Sequence, residues 1–301
     1  VSACPPLDIS WKLIGPGGGG RITSVTEDPT NSLNLYMTIN VGGARRSCDG
    51  GETWEIINRG LDYGSIGEFA QRLADIWVHP EHGNLVLAAG LNGRVYAMDT
   101  NSTPSCWTKI YEHPGGLDID FSKFTSDPVK KDVVYLGVGS IQKLILGVGA
   151  RRTGNYWPVL LMGPTILHIK WKDKEKDWEC KNVGSIMGKP RNGNQATPVS
   201  SRYLNIYSIA VNPIDNNEMW FVTERGLYKG RLKDETISSF TLVSSHDTTV
   251  SYGLPAADDI HGGKIVIHPN GTTMYFTALN LCPFGEDSTI CPDPTSTNRG
   301  G

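Results

Sequence analysis

Apolar and polar positions alternate with period two along much of the chain, and the alternation comes in paired runs separated by a proline-containing turn. Five segments share this grammar: SVTEDPTNSLNLYMTI from Ser24, DIWVHPEHGNLVLAAG from Asp75, FTSDPVKKDVVYLGVG from Phe124, SIAVNPIDNNEMWFVT from Ser208 and KIVIHPNGTTMYFTAL from Lys264. Period two puts successive side chains on opposite faces of an extended strand. Each segment therefore predicts two antiparallel strands, A and B, joined by a short turn. The turn prolines stand at 29, 80, 128, 213 and 269, at spacings of 51, 48, 85 and 56 residues. Helical periodicity is essentially absent.

Four of the five segments are followed by a second, looser half: GGARRSCDGGETWEII, NGRVYAMDTNSTPSCWTKI, PTILHIKWKDKEKDWECKNV and RGLYKGRLKDETISSFTLV. Each half offers a strand, a polar turn and a strand led by an aromatic residue, namely Trp54, Trp107, Trp178 or Phe240. These are strands C and D. A four-stranded unit recurring about every 50 residues is the signature of a β-propeller blade. The expected fold is all-β, a single propeller domain over 1–301. Its blades fall near 20–57, 73–110, 117–183, 204–243 and 263–301, the last completed by residues 9–14. The 85-residue spacing accommodates insertions at 138–163 and 184–206.

Closure rests on the two ends. Ile9-Ser10-Trp11-Lys12-Leu13-Ile14 matches the strand-D pattern of TWEII and CWTKI, yet it precedes the first A strand. Pairing it with the last unit would remove two exposed sheet edges, which otherwise template aggregation. Cys4 and the Cys282–Cys291 loop flank these segments and are expected to form the clasp. The alternatives are strand exchange with a neighbouring molecule, building a homo-polymer, or membership of a larger propeller.

Composition narrows the setting. A hydrophobic fraction of 39% excludes global disorder, and 35 glycines with 18 prolines imply frequent turns. With 28 Lys+Arg against 31 Asp+Glu the net charge is −3, which argues against a nucleic-acid partner bound by bulk electrostatics. The longest apolar stretch, Pro158–Ile169, is broken by Gly163 and Pro164 and falls short of the roughly 18 residues of a membrane span. The chain opens on Val1 with no charged-then-apolar leader, as expected of a processed product or a fragment. Six cysteines and two N-x-[ST] sequons, at Asn101 and Asn270 in predicted turns, favour an oxidising setting. A secreted or cell-surface glycoprotein with disulfides is expected.

The first C–D turn reads Ser47-Cys48-Asp49-Gly50-Gly51-Glu52-Thr53-Trp54. Asp and Ser oxygens can satisfy the amides of a tight turn while glycines supply positive φ. The pattern resembles the Asp-box, S-x-D-x-G-x-T-W, of sialidases, sortilin-type receptors and xyloglucan-cleaving glycoside hydrolases. Ser47, Asp49, Gly51, Thr53 and Trp54 fill its positions, which makes a stable corner with Trp54 free to bury between blades. The whole first blade resembles that of the xyloglucanase group, in which an acid before xGG is catalytic. Here Thr38-Ile39-Asn40-Val41-Gly42-Gly43 puts Asn40 in the acid's place. An inverting glycosidase needs two carboxyls, and an amide transfers no proton. The resemblance thus implies the fold without the chemistry. Arg21-Ile22-Thr23 faintly resembles the sialidase Arg-Ile-Pro motif, but Arg72, Arg202 and Arg225 show no committing spacing.

Other chemistry is sparse. Asp118 and Asp120 stand two apart, on one face of a strand, and are the acids expected if the chain is an enzyme. Asp75 and Asp258-Asp259 are further carboxylates at the mouths of inner strands. His79-Pro80-Glu81-His82 reads as a surface turn rather than a metal site. No G-x-S-x-G, Walker-type or dinucleotide fingerprint occurs, so no cofactor or metal is expected. Cys48, Cys106 and Cys180 beside strand D read as structural thiols or disulfide halves. The B–C and D–A connections are the long ones, and in a propeller they emerge on one face. That face carries Arg151, Arg152, Tyr156, Trp157, Arg191, Asn194, Arg202 and Tyr203. Aromatic planes beside Arg and amide groups suit a glycan or protein partner. The expectation is a non-enzymatic binding or assembly module, with a glycoside hydrolase as the alternative.

Overall fold

The computed structural model describes residues 20–62, 71–90, 93–114, 119–141, 166–188, 202–203, 205–223, 226–244 and 262–279. They form twenty strands and no helix. The first sheet contains β1 (Ile22–Asp28), β2 (Asn31–Ile39), β3 (Gly43–Ser47) and β4 (Glu55–Ile56), hydrogen-bonded in that order. The second contains β5 (Leu73–Val78), β6 (Leu85–Gly90), β7 (Arg94–Asp99) and β8 (Thr108–Glu112). The third runs β9 (Ile119–Ser126), β10 (Val133–Ile141), β11 (Ile166–Lys172), β12 (Asp177–Gly184). After a short pair, β13 (Met187–Gly188) with β14 (Arg202–Tyr203), the fourth runs β15 (Ile206–Val211), β16 (Glu218–Thr223), β17 (Gly226–Lys233), β18 (Thr236–Ser244). A last sheet holds β19 (Gly262–Ile267) and β20 (Met274–Leu279). All pairings are antiparallel between neighbours, and the first strands β1, β5, β9, β15 and β19 lie side by side in succession. This is the β-propeller that the repeat predicts, with its A strands innermost.

Period-two alternation explains how the sheets stack. In β10, Val134, Leu136 and Val138 join Trp77, Leu87, Ala89 and Val95 in the core between the second and third blades. The intervening Val133 and Tyr135 join Ile206, Ile209, Met219 and Phe221 in the core between the third and fourth. A strand buried on both faces reads as the near-continuous apolar run VVYLGV. Tyr36, Ala44, Ile76, Tyr96 and Trp107 fill the first interface. Ala210, Trp220, Leu227 and Ile265 fill the last. The outward faces of the end sheets are different. Val25 and Ile56 on the first blade are 58% and 63% exposed, and Val266 and Tyr275 on the last are 49% and 65% exposed.

Three details depart from expectation. The connection 184–206 contains the small β13–β14 sheet, too short for its alternation to register in sequence. Strand D of the first blade is only two residues long. Trp54 therefore stays half-buried at the turn, donating its indole N–H to the Gly51 carbonyl at 3.0 Å, while Trp107 takes the interblade position. Cys48, Cys106 and Cys180 are free thiols, so the disulfide halves reduce to structural thiols among the described cysteines. Burial, with Asp177 and Glu179 nearby, pushes the Cys180 thiol up to about 12, which keeps it unreactive. Residues 9–14, Cys4, Cys282 and Cys291 lie outside the described residues.

Candidate functional site

The A–B turns share one device. The residue before each proline turns its side chain back onto the amides that follow. Asp28 accepts from the Thr30 N–H at 2.8 Å, and Asp127 from Val129 and Lys130 at 2.9 Å each. Asn212 accepts from Ile214 at 2.9 Å. His79 Nδ1 accepts from Glu81 and His82 at 3.1 and 3.2 Å, and His268 Nδ1 from Asn270 at 3.2 Å. The backbone repeats too: the N–H groups of His79, Asp127 and Asn212 donate to the carbonyls of Leu85, Val133 and Glu218. His79 is 2% exposed, and burial, then the neighbouring His82, depresses its pKa to about 4. Its ring is thus a neutral turn cap. Among the described residues, no group of three His, Cys, Asp or Glu side chains is placed to hold a metal ion.

The inner strands are stitched across blades. Thr26 and Thr125 hydroxyls each donate at 2.9 Å to a carbonyl of the next blade's first strand, Ile76 and Ile209. The Lys123 ammonium reaches the Thr23 carbonyl of the first blade, the Ala74 carbonyl at 2.8 Å and Asp75 at 3.2 Å. The other oxygen of Asp75 accepts the Phe124 N–H at 2.8 Å. Asp75 is 5% exposed with both oxygens committed, so it is an interblade tie and not a spare acid. Asn40 is equally committed. Its Oδ1 accepts the Arg21 N–H at 2.7 Å, and its own N–H donates to the Arg21 carbonyl at 3.0 Å. Position 40 clamps the end of the β1–β2 ladder.

The turn at 47–54 is held from within. The Ser47 hydroxyl donates to Asp49 at 2.7 Å and accepts the Gly51 N–H at 2.8 Å. Asp49 accepts the Thr53 N–H at 2.9 Å and its hydroxyl at 2.6 Å. These bonds, those from Thr53 foremost, hold the Asp49 carboxyl at about 2. Gly50 and Gly51 adopt φ of 72° and 97°, where a side chain would be strained.

A cleft of about 520 Å³ opens between the second and third blades, at the A–B and C–D turn end. Its walls include His82, Asp99, Trp171, Asp173, Lys176, Asp177 and Trp178. Three of its wall residues, Trp171, Trp178 and His82, belong to a run of five rings that continues through the buried Trp77 and His79. Trp171 meets Trp178 at 5.1 Å between centroids, Trp178 meets Trp77 at 6.2 Å, Trp77 meets His79 at 5.6 Å, and His79 meets His82 at 4.7 Å. The Trp77 indole N–H donates to Ser126 at 2.8 Å, which pins the middle of the chain. Asp173 pairs with Lys176 at 2.7 Å, and that bond, with the lysine's charge and the Trp171 indole, holds its carboxyl below the usual range.

The expected binding face is only partly described. Arg202 and Tyr203 form β14, opposite Gly188 and Met187. Arg151, Arg152, Tyr156, Trp157, Arg191, Asn194, Asp118 and Asp258-Asp259 lie outside the described residues. Asp120 sits in β9 opposite Ser140, near the end of the sheet. Asn101 and Asn270 occupy exposed turns; the Asn270 amide donates to Thr273 at 3.1 Å. Nothing in the sequence marks the cleft, because its walls come from turns of two different blades, far apart along the chain, and carry no linear motif.

No family description matches the chain, and no curated protein matches it in sequence. Among solved structures it is similar to an ancestral GH74 enzyme, with a TM-score of 0.53 and 18% identity over 89% of this chain and 28% of that one. It is also similar to the GH74 xyloglucanase of Xanthomonas campestris, with a TM-score of 0.50 and 15% identity over 84% of this chain and 35% of that one. The chain spans roughly a third of the length of these enzymes. At such identities the likeness establishes a common β-propeller fold.

Proposed function

We propose that the chain is a secreted or cell-surface Asp-box propeller that binds or assembles without catalysing a reaction. Position 40 carries this reading. Where the xyloglucanase pattern has an acid, this chain has an amide whose oxygen is already bonded to the Arg21 N–H. Such a group neither activates water nor protonates a leaving oxygen. The internally bonded 47–54 turn serves as the Asp-box corner. The ligand is a glycan or a protein, held on the long-loop face by Arg151, Arg152, Tyr156, Trp157, Arg191, Asn194, Arg202 and Tyr203. The outward apolar residues Val25, Ile56, Val266 and Tyr275 support assembly through the end sheets, with strand exchange between copies as its route.

The similarity to xyloglucan-cleaving enzymes favours a second reading, in which Asp118 and Asp120 supply the acids. Reducing-sugar release from a panel of β-glucans, xyloglucan and sialosides separates the two. The binding reading expects none above buffer. Turnover abolished by Asp118→Asn or Asp120→Asn would replace it with the hydrolase.

A further inference from the structure

The cleft between the second and third blades has an unbalanced chemistry. Its one lysine is matched, since Lys176 pairs with Asp173 at 2.7 Å. Asp99 and Asp177 line the same space with no cationic partner among the described residues. Each uses one carboxylate oxygen locally. Asp99 Oδ1 accepts from the Asn84 amide at 2.8 Å and the Asn101 N–H at 2.9 Å, and Asp177 Oδ1 accepts the Trp178 N–H at 2.8 Å. Their second oxygens remain as acceptors. The donors nearby are already turned inward: the Asn84 amide to Asp99, and the Ser102 hydroxyl to the Asp99 carbonyl. What the walls lack is a positively charged donor for Asp99 and Asp177.

The aromatic side points the same way. Trp178 is half-buried and Trp171 is 8% exposed, and the two meet at 54° along one wall. An ammonium or guanidinium group is attracted to an indole face, and more strongly where water is partly excluded. Lys and Arg side chains are donors only, with no acceptor to clash with a carboxylate. An anion would meet two unneutralised acids. A volume of about 520 Å³ exceeds one side chain and suits a short segment of polypeptide.

We propose that this cleft accepts a lysine or arginine side chain of a basic segment in a partner protein, held by Asp99 and Asp177 and covered by Trp178. The site lies at the turn end of the second and third blades and uses none of the residues proposed for the long-loop face.

Labelled hexalysine tests this by fluorescence anisotropy, with fully ε-acetylated hexalysine as the uncharged probe. The wild-type protein should bind hexalysine with an affinity that falls as salt rises, and bind the acetylated peptide at least tenfold more weakly. D99N/D177N keeps the local acceptor at each position and should weaken hexalysine binding at least tenfold. A charge-matched control on the first blade, E27Q/E55Q, should leave it unchanged. The proposal is overturned if hexalysine does not bind, if the acetylated peptide binds as well, or if the control loses as much as the cleft variant. Displacement of hexalysine by a neutral xyloglucan oligosaccharide would also overturn it, by making the cleft a sugar site. The peptide comparison needs no variant, so it stands even if D99N/D177N misfolds.

Discussion

Replacing His79 by Asn should preserve the second A–B turn while removing a pH dependence from the whole fold. Nδ1 of His79 accepts two backbone amides, so the ring proton sits on Nε2 and the ring is neutral. Burial is the main reason its pKa is near 4 instead of 6.5; His82 adds to the shift, and Glu81, Asp132 and Asp173 oppose it. The unfolded chain binds this proton near pH 6.5 and the folded chain does not until near pH 4. The resulting stability is complete above about pH 6.5 and is lost as pH falls towards 4. Between pH 7.5 and 5 the full shift corresponds to about 2 kcal/mol. Screening at the solvent edge of the turn brings this to on the order of 1–2 kcal/mol. Asn212 shows that an amide oxygen serves the same turn in the fourth blade. Urea denaturation of both proteins at pH 7.5 and 5 measures the effect. The wild type should lose on the order of 1–2 kcal/mol more than His79→Asn over this interval. His168, buried and likewise depressed, is common to both proteins and cancels. Equal losses would refute the buried neutral cap. A collapse of His79→Asn at pH 7.5 would show that ring packing, not the cap, holds the turn.

Three further outcomes are expected. A Cβ on Gly137 would stand 2.8 Å from the Ile206 Cγ2 and 3.1 Å from the Ser122 hydroxyl, inside a filled interface. Gly137→Ala should therefore cost about 1–3 kcal/mol in overpacking, and an unchanged or raised Tm would contradict that. Asp49→Ala removes the acceptor for both Thr53 donors and should lower Tm with no effect on any binding; a Tm equal to wild type would make the turn's carboxylate dispensable. Trp157→Ala with Arg152→Ala should weaken the principal ligand by at least ~2 kcal/mol if the long-loop face holds it. If only substitutions near Asp49 affect binding, that face is misassigned.

The blades were legible because their alternation has to satisfy two interfaces at once. A run such as VVYLGV can bury both faces only between neighbouring sheets, and the prolines mark where it turns. The capping residues were harder to see. Asp28, His79, Asp127, Asn212 and His268 share no side-chain chemistry except an acceptor atom at the right reach, so the repeat hides behind three residue types. Trp54 and Trp107 illustrate the limit of a motif. Both lead a D strand in the sequence, yet the two-residue β4 leaves Trp54 at its turn while Trp107 fills the interblade core. In the sequence Asn40 stands as a lost acid, and only the ladder geometry shows its clamp on Arg21. The cleft is invisible in the sequence because Asp99 and Asp177 are distant along the chain and line one space only when blades stack.

Absence of turnover is the part of the proposal that position 40 decides, and isothermal titration calorimetry with intact xyloglucan oligosaccharide reports on it directly. Each injection should give at most a heat pulse that saturates and returns to the original baseline. A sustained baseline displacement that scales with enzyme concentration and decays as oligosaccharide is consumed would contradict the claim, because it would mean that the chain hydrolyses the sugar despite the amide at position 40.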